Sequence, residues 1–248
     1  GQATWQVGDA VAIGPSLSPV QYSAAWGVHA SLARVDAASL LAIPRDVSLR
    51  SAAINKVAGI AYHGYVLASP EPNQRIALLG LGIIGQLSAR LFKRCAQTEL
   101  IAGDIHPGRV EIARRAGIHA CLLDSSLKPL EANSFDMVVD ATGAAAVMRP
   151  GIELLKAGTW GEHAQQPQYV VQGSYAGDLA VPYQQAFERE ICMRFPRDEG
   201  MVDRRAALAM IGQSELVVSD LQGESIEPDD YELTLLDNDR LTAVIDWT

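Results

Sequence analysis

The sequence predicts an α/β fold in which helices surround a doubly wound parallel sheet. Between residues 75 and 195, short apolar segments alternate with segments of helical periodicity, and this alternation indicates parallel strands joined by helical crossovers. The first apolar run, residues 76–79, lacks the polar alternation of a half-exposed strand. A strand that is buried on both faces of a parallel sheet has this pattern.

The same pattern predicts each element of the sheet in order. One helix follows the first strand through Leu91, and another follows Gly143 through Leu155. Two more helices are predicted at residues 107–116, where proline lies near the start, and at residues 182–189. The predicted strands are residues 76–79, 99–103, 119–123, 135–140, 168–173 and 191–195.

The segments on either side of the predicted sheet have a different organisation. Before it we expect a strand that begins after the turn at residue 7, a strand at residues 30–35 and one helix over residues 49–67. Turn-forming residues at 69–73 mark the boundary. After the sheet come a helix at 204–211, a short apolar segment at 216–218, a short helix at 228–236 and a final strand at 242–247.

Three glycines follow the first strand of the sheet in a G-x-G-x-x-G pattern. Gly80 permits a tight turn, Gly82 allows the backbone to approach a pyrophosphate, and Gly85 allows close packing of helix on strand. The N–H groups at the start of the following helix, at Ile83 and Ile84, face the phosphates. We therefore predict a dinucleotide site, and the alternative is an ordinary strand–helix–strand unit without a ligand.

An acidic residue ends the second strand and bears on the choice of dinucleotide. Asp104 can accept hydrogen bonds from both hydroxyls of the adenosine ribose, and its charge repels a 2′-phosphate. The next residue, Ile105, is not basic, and Arg109 is the one residue that could favour NADP instead. The sequence thus predicts NAD, with NADP as the less favoured cofactor.

Composition limits the classes of partner. The formal net charge is −9 and there is no basic run, so we expect neither nucleic acid nor a membrane surface as a partner. The three cysteines, Cys95, Cys121 and Cys192, lack metal-type spacing and indicate reduced thiols in a cytoplasmic protein. The first residue is Gly1, and from it we expect a chain that begins inside a domain.

Several short motifs, in this order, resemble the medium-chain dehydrogenase/reductase superfamily of alcohol-dehydrogenase-like proteins. V-G-D-A-V at residues 7–11 is similar to a motif of that family's GroES-like domain. L-A-I-P at 41–44 resembles the approach to its bridging helix, G-L-G-I-I-G at 80–85 its cofactor turn, and D-A-T-G at 140–143 a later turn. Tyr231 and residues 244–247 resemble its ending, and within the family the closest resemblance is to bacteriochlorophyllide-type dehydrogenases.

The resemblance implies a domain organisation. Residues 1–70 would form an incomplete GroES-like β domain with the bridging helix, residues 71–197 a Rossmann dinucleotide-binding domain inserted in it, and residues 198–248 a return to the first domain. Family members often dimerise by pairing their sixth strands. We therefore expect a homodimer, and residues 191–195 are apolar enough to form such a pair.

The resemblance also assigns residues to the cofactor. Ala141, Thr142 and Gly143 would contact it, and the turn Gly173-Ser174-Tyr175 would flank its nicotinamide, with Phe195 and Arg197 nearby. Ser174 or Tyr175 would reach a small-molecule substrate. The alternative is that these residues only form loops after strands.

The zinc ligands of the family are not recognisable in this chain. The position of the third ligand, seven residues before His63, holds Lys56, and a protonated lysine does not bind zinc. The histidines at 29, 63, 119 and 163 lack ligand spacing. We therefore expect no metal and no zinc.

Without a metal, hydride transfer needs another group to handle the proton of the alcohol. Lys56 is the first choice as an acid or polarising cation, and Tyr175 is the second; the alternative is that Lys56 only supports the cofactor or the fold. The sequence thus predicts a zinc-independent, NAD-dependent dehydrogenase of a secondary alcohol or ketone. A nucleotide-binding sensor without turnover, and an enzyme that oxidises its substrate transiently during isomerisation or elimination, stay open.

Overall fold

The structure is a computed structural model, and it describes residues 5–14, 31–157, 166–230, 232 and 241–247. The chain divides into two compact units. One comprises Gly1–Gly59 together with Glu199–Thr248, and the other comprises Ile60–Asp198.

The described elements follow one another along the chain. The strands are β1 (Val11–Ile13), β2 (Leu40–Ala42), β3 (Arg75–Leu79), β4 (Glu99–Asp104), β5 (Ala120–Leu122), β6 (Met137–Asp140), β7 (Gln168–Val171), β8 (Cys192–Arg194), β9 (Glu224–Ile226) and β10 (Ala243–Ile245). The α-helices are α1 (Leu49–Ala53), α2 (Asn55–Ala68), α3 (Ile83–Phe92), α4 (Pro107–Arg115), α5 (Met148–Leu154), α6 (Tyr183–Glu188) and α7 (Met201–Gly212). Short 3-10 turns occur at Ala37–Ser39, Ala145–Val147, Ser219–Leu221 and Pro228–Asp230.

The unit Ile60–Asp198 contains a six-stranded sheet in the order β5-β4-β3-β6-β7-β8. All neighbouring strands pair in parallel. The chain starts in the middle at β3, moves outward through β4 and β5, and then returns to the other side of β3 at β6. This order is that of a doubly wound Rossmann sheet, whose ligands bind at the carboxyl ends of the strands where the direction reverses. The predicted fold of this unit is confirmed.

Two hydrophobic cores cover the faces of this sheet. Alternate residues of β3 enter them, with Ile76 and Leu78 in one core and Ala77 and Leu79 in the other. All four side chains are fully buried. Burial on both faces explains why this strand is a continuous apolar run.

Among the described residues, the unit Gly1–Gly59 with Glu199–Thr248 has a smaller hydrophobic core than the unit with the six-stranded sheet. β1 and β2 form an antiparallel pair, and β9 pairs with β10 in parallel. Val47, Ala52 and Leu208 form the centre of a small core between α1, α7 and the chain before α1. The predicted final strand is confirmed as β10, shortened at both ends.

Three sequence predictions differ from the structure. The single helix predicted over 49–67 is two helices, because at Ile54 the N–H bonds to Ala52 and closes the end of α1 before α2 begins. Residues 31–35 are not a strand, since no neighbouring strand pairs with them in the described part of the chain. The predicted helix at 228–236 begins differently, as a 3-10 turn at Pro228–Asp230; Glu232 is helical, and residues 231 and 233–236 lie outside the described residues.

None of the helices within the described ranges is long and apolar enough to cross a bilayer.

Candidate functional site

The glycine-rich turn between β3 and α3 is shaped by close contacts of its backbone. Gly80 has φ +87°, a conformation that favours glycine. Its N–H donates to the carbonyl of Gly103 at 2.8 Å. A Cβ added there would lie 2.9 Å from the backbone nitrogen of Thr142, so a side chain has no space. The structure thus gives Gly80 the turn-forming role that the pattern predicts.

The other two glycines of the turn differ in what surrounds them. A Cβ at Gly85 would collide with the carbonyl oxygen of Gly80, so glycine is needed for helix and turn to approach each other. A Cβ at Gly82 would meet nothing within 4 Å. Gly82 is the N-cap of the ten-residue helix α3. The open side of the turn therefore lies at Gly82 and at the N–H groups of Ile83 and Ile84, where an anion would be bound by backbone donors.

Asp104, the last residue of β4, is held beside this turn. Its Oδ2 accepts a hydrogen bond from the backbone N–H of Leu81 at 2.6 Å, and its Oδ1 accepts one from the N–H of His106 at 2.7 Å. The residue is only 6% exposed. Because each carboxylate oxygen has a second lone pair, these bonds fix the carboxylate and leave it able to accept further hydrogen bonds.

The neighbours of Asp104 that the sequence singles out lie just beyond it. Ile105 is exposed, and Arg109 is half-buried in the first turn of α4. The backbone carbonyl of Arg109 accepts a hydrogen bond from the side chain of Gln86. The cofactor roles of these two residues stay predictions.

A buried carboxylate organises the turn after β6. Oδ1 of Asp140 accepts from the N–H and the hydroxyl of Thr142, at 3.0 and 2.7 Å, and Oδ2 accepts from the hydroxyl of Tyr169 at 2.8 Å. Burial, and then the charge of Asp140, raises the pKa of Tyr169, which therefore stays a proton donor to the carboxylate. Hydrogen bonds from Thr142 to the buried carboxylate of Asp140 thus stabilise the turn Ala141-Thr142-Gly143.

The turn after β7 lies directly against the turn after β6. Gly143 has φ +68°, and a Cβ there would lie 2.9 Å from the carbonyl oxygen of Ser174. A Cβ at Gly173 would lie 2.7 Å from the backbone nitrogen of Gly143. Because the Gly80 turn contacts Ala141 and Thr142 in the same way, the carboxyl ends of β3, β6 and β7 bring the predicted cofactor residues together.

Tyr175 follows these glycines and has its hydroxyl in a restricted environment. The ring packs against one core of the sheet, and the buried hydroxyl lies close to Asp140 and Thr142 without a hydrogen bond of ordinary geometry. Burial, and next the negative charge of Asp140, raises the pKa of Tyr175. A hydroxyl with a raised pKa is a weak acid near neutral pH, which makes Tyr175 the poorer of the two catalytic choices.

Lys56 belongs to the other unit, where it forms an ion pair in the first turn of α2. Its Nζ lies 3.1 and 3.2 Å from the two carboxylate oxygens of Glu199. The Glu199 side chain is 1% exposed and that of Lys56 is 33% exposed. The carboxylate is thus buried beneath an ammonium group that still reaches the surface.

Gly59 explains how Glu199 reaches this position. Gly59 follows Lys56 by three residues on α2, so both lie on one face of the helix. A Cβ at Gly59 would lie 3.0 Å from Cγ of Glu199 and 2.9 Å from Cγ of Arg204. Sequence reasoning did not identify Glu199, because 143 residues separate it from Lys56.

The described residues offer no fit for a zinc ion. Among them, no group of three His, Cys, Asp or Glu side chains is arranged to hold a metal. The position that resembles the third zinc ligand holds Lys56, already bound to Glu199. Of the histidines considered, His29 and His163 lie outside the described residues. Whether the protein works without zinc stays a prediction.

Known proteins resemble this chain in both sequence and fold. No family model matches it. D-xylulose reductase A from Aspergillus oryzae is 25% identical over 190 residues, which are 72% of this chain and 51% of that protein. The chain thus spans about half the length of the curated relatives it matches.

Three solved structures show the same fold at low identity. 2R,3R-butanediol dehydrogenase from Bacillus subtilis has a TM-score of 0.76 and 16% identity, covering 97% of this chain and 74% of that one. An alcohol dehydrogenase from Escherichia coli in complex with NADH has a TM-score of 0.76 and 18% identity, covering 94% and 75%. A zinc-binding dehydrogenase from Sinorhizobium meliloti bound to NADP has a TM-score of 0.71 and 18% identity, covering 85% and 63%.

The sheet order, the glycine turn and these similarities support the resemblance of this chain to the medium-chain dehydrogenase/reductase superfamily. The predicted fold class, α/β with a doubly wound parallel Rossmann sheet inserted in a GroES-like domain, is confirmed. The narrower resemblance to bacteriochlorophyllide-type members is not tested by these similarities and stays a prediction.

Proposed function

We propose that this protein is a medium-chain dehydrogenase/reductase, and that it is a zinc-independent, NAD(H)-dependent oxidoreductase that transfers hydride between nicotinamide and a secondary alcohol or ketone. The turn at Gly80–Gly85 is the observation that carries the proposal, because its open side lies at Gly82, where a pyrophosphate could approach. The names of its relatives, which include a xylulose reductase and a butanediol dehydrogenase, support an alcohol as the substrate class.

The residues at the carboxyl edge of the sheet would hold the dinucleotide. N–H groups at Gly82, Ile83 and Ile84 would bind the pyrophosphate. The Ala141–Gly143 and Gly173–Tyr175 turns would face the nicotinamide half, and they contact each other as such a role requires. NAD, when bound, supplies the hydride acceptor of the reaction, and NADH the hydride donor.

The preference for NAD over NADP rests on Asp104. Its carboxylate is fixed by the N–H groups of Leu81 and His106, so it cannot easily turn away from a bound ribose. A 2′-phosphate beside this fixed negative charge would be repelled. Arg109 is the residue that would oppose this preference, and neighbours in fold are known with NADH and with NADP.

We propose Lys56 as the group that exchanges the proton with the alcohol or ketone oxygen. In the direction of reduction, the carbonyl carbon receives the hydride and the oxygen receives a proton from the Lys56 ammonium. Glu199 holds this ammonium through both of its carboxylate oxygens. The domain assignment goes with this proposal: residues 1–70 and 198–248 form the catalytic domain, and residues 71–197 form the cofactor domain.

The free edge of the sheet supports a homodimer. In the part of the chain that the structure describes, β8 has a strand neighbour on one side only. Beside it, the rings of Tyr183 and Phe187 stack with their centroids 5.6 Å apart, and the two residues are 75% and 67% exposed. We propose that two copies pair through their β8 strands and bury these rings. The unpaired cysteines support a location in the cytoplasm.

One observation favours a second candidate, a dinucleotide-binding sensor or accessory protein without turnover. The bidentate contact of Lys56 with the buried Glu199 is also what a purely structural ion pair requires. An enzyme that oxidises its substrate transiently during isomerisation or elimination is a variant of the first proposal, since it needs the same cofactor site.

A hydride-transfer assay separates these candidates. The purified chain is mixed with NAD and a panel of secondary alcohols, or with NADH and the matching ketones, and the absorbance of reduced nicotinamide is followed. We expect turnover with at least one pair and no loss of rate after a chelator is added. Cofactor binding without turnover on the whole panel, and without isomerised product, would support the sensor. Activity that a chelator abolishes and zinc restores would contradict zinc independence.

A further inference from the structure

The peptide groups on both sides of Leu81 are held by two buried side chains. The N–H of Leu81 donates to Oδ2 of Asp104 at 2.6 Å. Its carbonyl oxygen accepts a hydrogen bond from Nε2 of Gln86 at 3.3 Å. Gln86 lies in the first turns of α3 and is fully buried. Hydrogen bonds with these two side chains thus fix both the N–H and the carbonyl of Leu81, the central residue of the glycine turn.

The orientation of the Gln86 amide is fixed by its partners. Nε2 also donates to the carbonyl of Arg109 at 2.8 Å, and Oε1 accepts from Nη1 of Arg90 at 3.0 Å. Carbonyl oxygens can only accept and a guanidinium can only donate, so the reversed amide would lose these bonds. Arg90 is 8% exposed and also donates to the backbone carbonyl of Gln86. The chain Arg90–Gln86–Leu81 therefore has one arrangement.

A fixed carbonyl at Leu81 also fixes the N–H of Gly82. In a trans peptide the C=O of one residue and the N–H of the next point in opposite directions across one plane. Because the Leu81 carbonyl points at Gln86 inside the protein, the Gly82 N–H points away from Gln86. The space beside the Gly82 Cα is open.

We propose that Gln86 is a positioning residue for the cofactor, which turns the Leu81–Gly82 peptide so that the Gly82 N–H faces the pyrophosphate. This inference rests on the proposed dinucleotide function. Gln86 does not touch the ligand; it acts through the peptide plane that it holds, and through Arg109 it ties the turn to α4.

Ligands with and without a pyrophosphate test this role. Gln86→Met keeps the length of the side chain but removes both N–H donors. We measure Kd for NADH by nicotinamide fluorescence, and for ADP-ribose and adenosine by competition. In the variant, NADH and ADP-ribose should bind roughly five- to twentyfold more weakly, the effect of one lost or misdirected hydrogen bond. Adenosine, which has no pyrophosphate, should change less than about twofold.

Ser88→Ala is the matched control. Ser88 lies on the same helix, is fully buried and, among the described residues, its hydroxyl has no hydrogen-bond partner. Its affinities for all three ligands should equal those of the wild type. A thermal melt of each variant gives the folded fraction. Partial unfolding lowers the apparent affinity for every ligand by the same factor, so the ratio of ADP-ribose to adenosine affinity does not depend on the folded fraction.

The outcomes are distinct. If Gln86→Met binds all three ligands as the wild type does, or loses adenosine as strongly as NADH, Gln86 does not position the peptide and the inference is overturned. If the wild type itself binds neither NADH nor ADP-ribose, the proposed function fails, and this inference fails with it.

Discussion

Asp104 has two partners within the protein, the N–H groups of Leu81 and His106. In the proposed function the residue combines two tasks, since the carboxylate that shapes the glycine turn would also carry the charge beside the ribose. The sequence pattern predicts only the second of these tasks. Removing the charge should affect cofactor choice and removing the acceptor should affect the turn.

Asp104→Asn separates charge from size. The substitution removes the negative charge that repels a 2′-phosphate, so the ratio of NADPH to NADH affinity should rise about tenfold. One N–H loses its acceptor, which should cost about 1–3 kcal/mol of unfolding free energy. The affinities come from fluorescence titrations and the stability from urea unfolding. Asp178→Asn, at an exposed carboxylate of the same unit, is the control. An unchanged ratio would show that Asp104 does not face the ribose.

Lys56 and Glu199 pose a question that only paired variants answer. Lys56→Met removes the ammonium that contacts the buried carboxylate of Glu199 and should lower the unfolding free energy by about 2 kcal/mol, since the lysine is partly exposed. Adding Glu199→Gln removes the negative charge that the Lys56 ammonium balanced, so the double variant should regain most of the stability.

Turnover then distinguishes chemistry from structure at this pair. If Lys56 donates the proton, the double variant stays about a hundredfold or more slower than the wild type despite its restored stability. If the pair only supports the fold, its rate returns together with the stability. The measurements are urea unfolding and the steady-state rate with a saturating ketone.

At the scale of single elements, the turn from β3 to α3 separates folding from binding. Gly80 and Gly85 are enclosed by backbone, whereas Gly82 faces open space. Gly82 has φ −63°, which alanine adopts readily. Gly82→Ala should therefore leave the thermal midpoint within about 2 °C of the wild type but weaken NADH binding at least about tenfold, because the Cβ would occupy the space of the pyrophosphate.

Two further glycine variants serve as controls for this prediction. Gly80→Ala should instead destabilise the protein by about 2 kcal/mol, because of its positive φ and the contact with Thr142. Gly108→Ala, where an added Cβ also meets nothing, should change neither stability nor binding. If Gly82→Ala binds NADH normally, the pyrophosphate does not lie at this turn.

The β8 edge makes a prediction about assembly. Phe187→Asp places a charge on the exposed stacked pair and should convert a dimer to a monomer in sedimentation velocity. Val202→Asp, at an equally exposed apolar residue of the other unit, should leave the dimer intact. A wild-type chain that sediments as a monomer would contradict the pairing of β8 strands.

For the molecule as a whole, the sequence predicts what short segments determine. The apolar runs locate all six strands of the sheet, and the glycine spacing locates the turn, because burial and backbone conformation act within a few residues. The strand predicted at 30–35, of which the structure describes residues 31–35, was wrong for the opposite reason. A strand needs a partner, and the pattern of one segment does not reveal whether a neighbour exists.

Long-range partners account for what the sequence does not predict. Glu199 lies 143 residues from Lys56 along the chain. The hydrogen bond from the Gln86 side chain to the Leu81 carbonyl depends on side-chain orientation rather than on sequence spacing. Gln86 and Arg90 carry one detectable signal, since polar residues on a helix between two apolar strands must find buried partners. That signal marks them as structured but does not name the turn as their partner.

The measurement that tests the central claim most directly is a titration of the purified chain with NADH and with NADPH, followed by the quenching of tryptophan fluorescence. We expect saturable binding of both, with NADH at least about tenfold tighter because of the fixed charge of Asp104. No saturable binding of either dinucleotide would contradict the proposed function as a whole. Tighter binding of NADPH would contradict the role assigned to Asp104.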